Sequence, residues 1–157
     1  MLWYFAYGSN MQRATFEGRR GMRPVESCCG RLDGWRLCFD LPVGRGERGV
    51  ANLTPDESSH VYGVLHRITP AEFERLDRTE GVGNGYYRRE FVTVDTLERE
   101  RITAVTYVST HGVAGRKPSA RYLGLLLEGA DEYGLPREYV ETLQRLDLAH
   151  DERLDSS

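Results

Sequence analysis

Leu2-Trp3-Tyr4-Phe5-Ala6-Tyr7-Gly8-Ser9-Asn10 is the stretch on which the reading of the fold turns. Its aromatic and apolar residues run without a polar face, which suits a strand buried on both sides, and Gly8 stops the run. Ser9 followed three residues later by Gln12 has capping-box spacing, so 11–17 is expected to form a short helix or helical turn ending near Gly18. Where a buried strand gives way to a helix start, backbone N–H groups point outward unpaired and can bind a carboxylate or a developing oxyanion. An ordinary strand-to-helix turn capped by Ser9 or Asn10 satisfies the same spacing.

Working outward, Trp35, Leu37, Phe39 and Leu41 alternate with Arg36, Cys38 and Asp40, the period of a strand with one wet face. Further strands are expected at 49–53, 61–68, 87–94 and 102–108. About six strands broken by glycine loops favour a closed or strongly curved sheet over a regular βαβ array. The fold class expected is therefore mixed α+β, a small β-barrel with peripheral helices. Thr69-Pro70-Ala71-Glu72 carries the signals of a helix start, and that helix should run to about Glu80, where Gly81 supplies a left-handed stop. Ser119 opens a second helix through about Tyr133. Gly134-Leu135-Pro136 breaks it before a third, which carries Tyr139, Val140, Leu143 and Leu146 on one side.

The 157 residues suit one domain, taken as 1–150, with a polar tail at 151–157 expected to be frayed. A net charge of −3 provides no field to draw the whole molecule onto nucleic acid or an anionic membrane. The arginines at 19, 20, 23, 45 and 48 lie in glycine-rich stretches and read as solvated loops. No apolar run approaches the roughly 18 residues of a membrane helix, and a cytoplasmic protein is expected. Cys28, Cys29 and Cys38 are odd in number and lack metal-ligand spacing, and His60, His66, His111 and His150 are scattered. Neither a disulfide framework nor a metal site is expected.

Chemistry is most legible at Glu80. It lies four residues beyond Leu76 and seven beyond Phe73, so it projects from the core-facing side of its helix. Partial desolvation and the negative end of the helix dipole both favour the protonated carboxyl, which is how a glutamate becomes basic enough to move protons near neutral pH. A glutamate at a helix end that merely pairs with Arg88 or Arg89 would fit the same phase. Tyr122, four residues before Leu126, has a packed core tyrosine as its default reading.

Taken in order, Tyr4-Phe5-Ala6-Tyr7-Gly8-Ser9-Asn10-Met11, Gly49-Val50-Ala51-Asn52-Leu53, Leu76-Asp77-Arg78-Thr79-Glu80-Gly81-Val82, Gly85-Tyr86-Tyr87-Arg88-Arg89 and Pro118-Ser119-Ala120-Arg121-Tyr122-Leu123 resemble γ-glutamyl cyclotransferases over nearly the whole chain. The resemblance implies a barrel in which the glycine loop and the glutamate meet at one cavity. It also implies a reaction without cofactor or metal, in which a γ-glutamyl group closes to 5-oxoproline and expels its amine. Glu80 would be the acid/base, and Tyr7, Gly8, Ser9, Asn10, Met11 and Tyr122 would hold the substrate. The Gly-Ser-Asn loop resembles the branch acting on γ-glutamyl amino acids, and the family admits a homodimer. The charged stretch before Gly49 departs from the family pattern and borders the leaving-group side. Competing readings are a non-catalytic binding regulator on the same fold, an arginine-loop RNA binder, and a thiol chemistry at Cys28 or Cys29.

Overall fold

A computed structural model describes residues 1–150, and the expectation of a frayed tail at 151–157 falls outside them. Its strands close a barrel in the order β1 (Leu2–Ala6), β3 (Gly49–Ile68), β2 (Glu26–Pro42), β4 (Arg88–Thr96) and β5 (Arg101–Val108). The pairings are antiparallel except the closure, which is parallel with Tyr4 opposite Val105. Three α-helices accompany the barrel: α1 (Pro70–Thr79), α2 (Ala120–Glu132) and α3 (Arg137–Gln144). As the unbroken apolar run requires, Tyr4, Phe5 and Ala6 are buried on successive, opposite faces of β1.

The barrel has five strands where about six were expected, because the segments at 49–53 and 61–68 are the two ends of β3. The polar run Asp56-Glu57-Ser58-Ser59 reads as a break in the sequence. In the structure the register simply steps from Trp35 opposite Pro55 to Asp33 opposite His60. The Asp56 carboxylate absorbs the extra residues by accepting from the Ser58 N–H and hydroxyl and from the Ser59 hydroxyl at 2.9–3.1 Å. β2 likewise starts at Glu26, well ahead of Trp35. A bulge hides its first half: Leu32 is buried before Gly34 (φ +88°), Phe39 and Leu41 after it, so the alternation changes phase.

The expected helix at 11–17 is replaced by a 3₁₀ turn, Ser9–Met11, and a π-helical stretch, Ala14–Arg19. Ser9 makes no side-chain cap, and Gln12 is turned instead to accept from the Thr15 hydroxyl at 2.5 Å, so no capping box forms. α1 matches its sequence closely. The Thr69 hydroxyl accepts from the Glu72 N–H at 3.1 Å while the Glu72 carboxylate accepts from the Thr69 N–H at 3.0 Å. Phe73 and Leu76 are buried, and Gly81 ends the helix in the left-handed region at φ +69°. The helix is clamped to β4 and β5 through Asp77, which accepts from Arg89 Nε and Nη2 at 2.9 and 2.7 Å and from the Tyr107 hydroxyl at 2.6 Å. α2 opens as predicted, with the Ser119 hydroxyl accepting from the Tyr122 N–H at 3.0 Å.

Candidate active site

A cavity of about 430 Å³ opens where the end of β1, the C-terminus of α1, the start of β3 and the first turns of α2 converge. Tyr7, Gly8, Ser9, Asn10, Glu80 and Tyr122 all line it, so two stretches far apart in the chain form one site. Glu80 caps α1, its N–H donating to the Leu76 carbonyl at 3.0 Å, and is half-buried. Burial pushes its carboxyl above the usual carboxylate range, while the charge of Arg20 and a hydrogen bond from Asn10 pull it partly back. The two arginines that fit the alternative ion-pair reading serve other acids: Arg89 binds Asp77 and Arg88 binds Glu90.

Asn10 joins the glycine loop to the glutamate. Its Nδ2 donates to Glu80 Oε1 at 3.3 Å and to the Tyr4 hydroxyl at 3.0 Å, and its Oδ1 accepts from Arg20 Nε at 3.2 Å. Its backbone carbonyl faces His66 Nε2 at 3.1 Å, and His66 Nδ1 meets the Ser27 hydroxyl at 2.8 Å. A neutral ring with its proton on Nε2 satisfies both contacts, donating to the carbonyl and accepting from serine. His66 is fully buried between Phe16 and Tyr133, and burial lowers its pKa to about 4.

A depressed histidine pKa stabilises the fold above the unfolded value near 6.5, and that contribution is lost as pH falls toward about 4. The span corresponds to on the order of 3 kcal/mol. Urea unfolding of wild type and His66→Gln at pH 7 and pH 4 checks this: the wild type should lose more stability on acidification, and parallel losses would contradict the assignment.

Gly8 is required by close approach. A Cβ there would lie 2.9 Å from the Tyr122 hydroxyl oxygen and 3.2 Å from Ala51 Cβ. The Tyr122 hydroxyl accepts from the Ala51 N–H at 3.1 Å, at the point where the β2–β3 register shifts between Cys38 and Leu41. The irregularity turns this amide toward α2, and the tyrosine satisfies it. Tyr122 is thus more than a core residue: burial raises its pKa to about 12, opposed by hydrogen bonds from Ala51 and Ser9. Tyr122→Phe should cost about 1–2 kcal/mol of stability by stranding that N–H, and loosen the wall behind Gly8. Thermal unfolding with and without substrate measures both.

Some placements depart from the sequence reading. Met11 is fully buried, packed against Gly129 of α2, and does not line the cavity. Arg19, Arg20 and Arg48 line the cavity rather than belonging wholly to solvated loops, and Arg121 joins them from α2. Arg45 remains exposed. Periodicity marked neither Arg19 nor Arg20, whereas the family resemblance already set the charged stretch before Gly49, with Arg48, at the leaving-group side. Burial raises the thiols of Cys28, Cys29 and Cys38, the latter two to about 11, which opposes nucleophilic chemistry. Among the described residues there is no cluster of three acidic, histidine or cysteine side chains able to hold a metal. No described helix is long and apolar enough to cross a membrane.

Comparison with known proteins converges on one family. The AIG2-like family pattern matches residues 60–143. Mouse γ-glutamylcyclotransferase is 34% identical over 148 residues, covering 92% of this chain and 78% of the mouse protein. The human γ-glutamylcyclotransferase is 32% identical over the same shares. A solved γ-glutamyl cyclotransferase structure superposes with a TM-score of 0.85 at 28% identity, over 99% of this chain and 96% of its own. A yeast cyclotransferase specific to glutathione shares the fold alone, with a TM-score of 0.64 at 14% identity over 90% and 93% of the two chains.

Proposed function

The chain belongs to the γ-glutamyl cyclotransferase family, and from that premise we propose that it converts γ-glutamyl amino acids to 5-oxoproline and a free amino acid, with Glu80 as acid and base. The observation that carries the reading is Glu80 itself, half-buried on the cavity and held by Asn10 opposite the Gly8-Ser9 loop. A carboxyl raised by burial can take up a proton and return it within one cycle.

Glu80 removes a proton from the substrate's α-ammonium, and the freed amine attacks the γ-carbonyl carbon of the same molecule. The N–C bond that closes the ring forms as the carbonyl oxygen takes up negative charge. The Ser9 N–H is taken by the Tyr122 hydroxyl, whereas the Asn10 N–H heads a helical turn that offers it no acceptor of its own, so it suits that oxygen or the glutamyl carboxylate. Protonated Glu80 then gives its proton to the departing nitrogen, the oxyanion re-forms the carbonyl as the original amide bond breaks, and the ring nitrogen sheds its second proton to the freed amine, so that 5-oxoproline and an ammonium leave. Because both reacting groups are tethered, holding the glutamyl chain folded supplies much of the acceleration.

The charge of the cavity supports a substrate with a carboxylate on each side of the scissile amide: Arg19, Arg48 and Arg121 line it, with Glu80 as the acid among the lining residues. A reducing, cytoplasmic setting belongs to the same reading, given three unlinked cysteines. The decisive measurement is 5-oxoproline release from γ-glutamyl amino acids, γ-glutamyl amines and glutathione. Preferential turnover of the first group supports the proposal, and preference for either of the others overturns it.

A further inference from the structure

The primary amide of Asn10 contacts charge on both sides, and its two ends are not equivalent. A guanidinium can only donate hydrogen bonds, so Arg20 Nε, 3.2 Å away, fixes the Asn10 carbonyl oxygen on its own side. The amide nitrogen is thereby directed to the other side, toward Glu80 Oε1 at 3.3 Å and the Tyr4 hydroxyl at 3.0 Å. Without that lock the amide could turn over and set its oxygen against the carboxylate, replacing an attraction with a repulsion. The Arg20 backbone N–H donates to the Thr15 carbonyl at 2.8 Å, which anchors the residue independently of its side chain.

We propose that Arg20 is a positioning residue that locks the Asn10 amide toward Glu80 and, with its charge, sets the pH range over which the site works. The inference rests on the assignment of Glu80 as the acid/base. Arg20's charge is also the foremost of the influences that oppose the effect of burial on Glu80. The other titratable groups facing Glu80 come from several elements: Tyr4 of β1, Tyr7 just beyond it, Tyr87 ahead of β4, Tyr122 of α2, and His111 across the adjoining cleft. Burial raises all four phenols, so they stay neutral through the working range. Arg19, Arg48 and Arg121 also line the cavity, but Arg20 is the cation whose charge acts foremost on Glu80, and His111→Asn serves as the control for the histidine.

The test follows two readouts in wild type, Arg20→Gln, Arg20→Lys, Asn10→Ala and the Arg20→Gln/Asn10→Ala double variant. One is the pH dependence of 5-oxoproline release; the other is the titration of the Glu80 side-chain carboxyl by ¹³C NMR, which needs no turnover. Arg20→Gln should move both the acid limb and the Glu80 titration upward by about half a pH unit or more, with KM little changed, and Arg20→Lys should restore most of the shift. The double variant should shift by less than the sum of the two singles, because one lock is removed twice. A rise in KM with an unmoved Glu80 titration would overturn the proposal and make Arg20 a substrate contact. An unmoved titration with unchanged kinetics would overturn it as well. A Glu80 titration that moves while Glu80→Gln retains full activity would uphold the lock and instead refute the catalytic role of Glu80.

Discussion

Glu80→Gln is expected to lower kcat for 5-oxoproline release by about 10²–10⁴-fold with little change in KM. The replacement keeps an oxygen that can accept from Asn10 Nδ2, so the loop and the end of α1 should hold their positions. What it removes is the ability to carry a proton. The same variant makes an opposite prediction for stability. In the wild type, burial raises the Glu80 carboxyl, so ionising it is harder in the folded chain than in the unfolded one. That group therefore loses stability for the protein as pH rises from the ordinary carboxylate range through its raised folded value. Glu80→Gln is free of this penalty and should melt at a higher temperature than wild type at pH 8, with the gap closing in acid. Loss of activity together with loss of stability at pH 8 would mean that Glu80 is a structural acid. Wild-type activity in the variant would end the proposed mechanism.

Gly129→Ala should be the most damaging single substitution outside the cavity wall among those argued here. Propensity alone favours alanine within α2 by about 1 kcal/mol. Contact decides otherwise: a Cβ at 129 would lie 2.8 Å from Met11 C, Gln12 N and Met11 Cβ, and two of these are backbone atoms that cannot rotate away. Overpacking of this kind costs about 1–3 kcal/mol and sometimes more, so the steric term wins. The helix must back off from the 3₁₀ turn Ser9–Met11, which carries the loop that faces Glu80. A fall in Tm of roughly 4–8 °C and in kcat/KM of about 10–100-fold are expected together. Gly124→Ala supplies the comparison on the same helix, since nothing lies within 4 Å of a Cβ there, and it should be neutral or stabilising. Equal effects at the two positions would show that helix propensity, not the seat on the loop, governs α2.

The two substitutions mark different depths of legibility. Glu80 could be found from the chain because its placement is a matter of local phase: Thr69, Pro70 and Glu72 start α1, Gly81 ends it, and Phe73 and Leu76 define its inner face. Gly8 at the end of an all-apolar strand was legible for the same reason, as were the Ser119 cap and the break at Gly134. The strand count failed where local polarity and tertiary pairing disagree. Asp56-Glu57-Ser58-Ser59 reads as a loop, yet the pairing of β2 with β3 on either side carries the strand through it. The bulge at Gly34 similarly scrambled an alternation that each half of β2 keeps on its own.

By itself, then, the sequence determined the features that depend on neighbours within a few residues: the boundaries of α1 and α2, the buried first strand, the core-facing acid at the end of α1 and the glycine that precedes the loop. Only the tertiary structure decided which of these meet and what surrounds them. It brought Asn10 to Glu80 across 70 residues of chain and set Tyr122 on the Ala51 amide across 71. It also withdrew Met11 into the core and turned Arg19, Arg20 and Arg48 from apparent loop charges into the lining of the cavity. The physical reason is that periodicity reports the face on which a side chain lies, whereas the field and hydrogen bonds acting on it come from residues that only barrel closure and helix packing bring within reach.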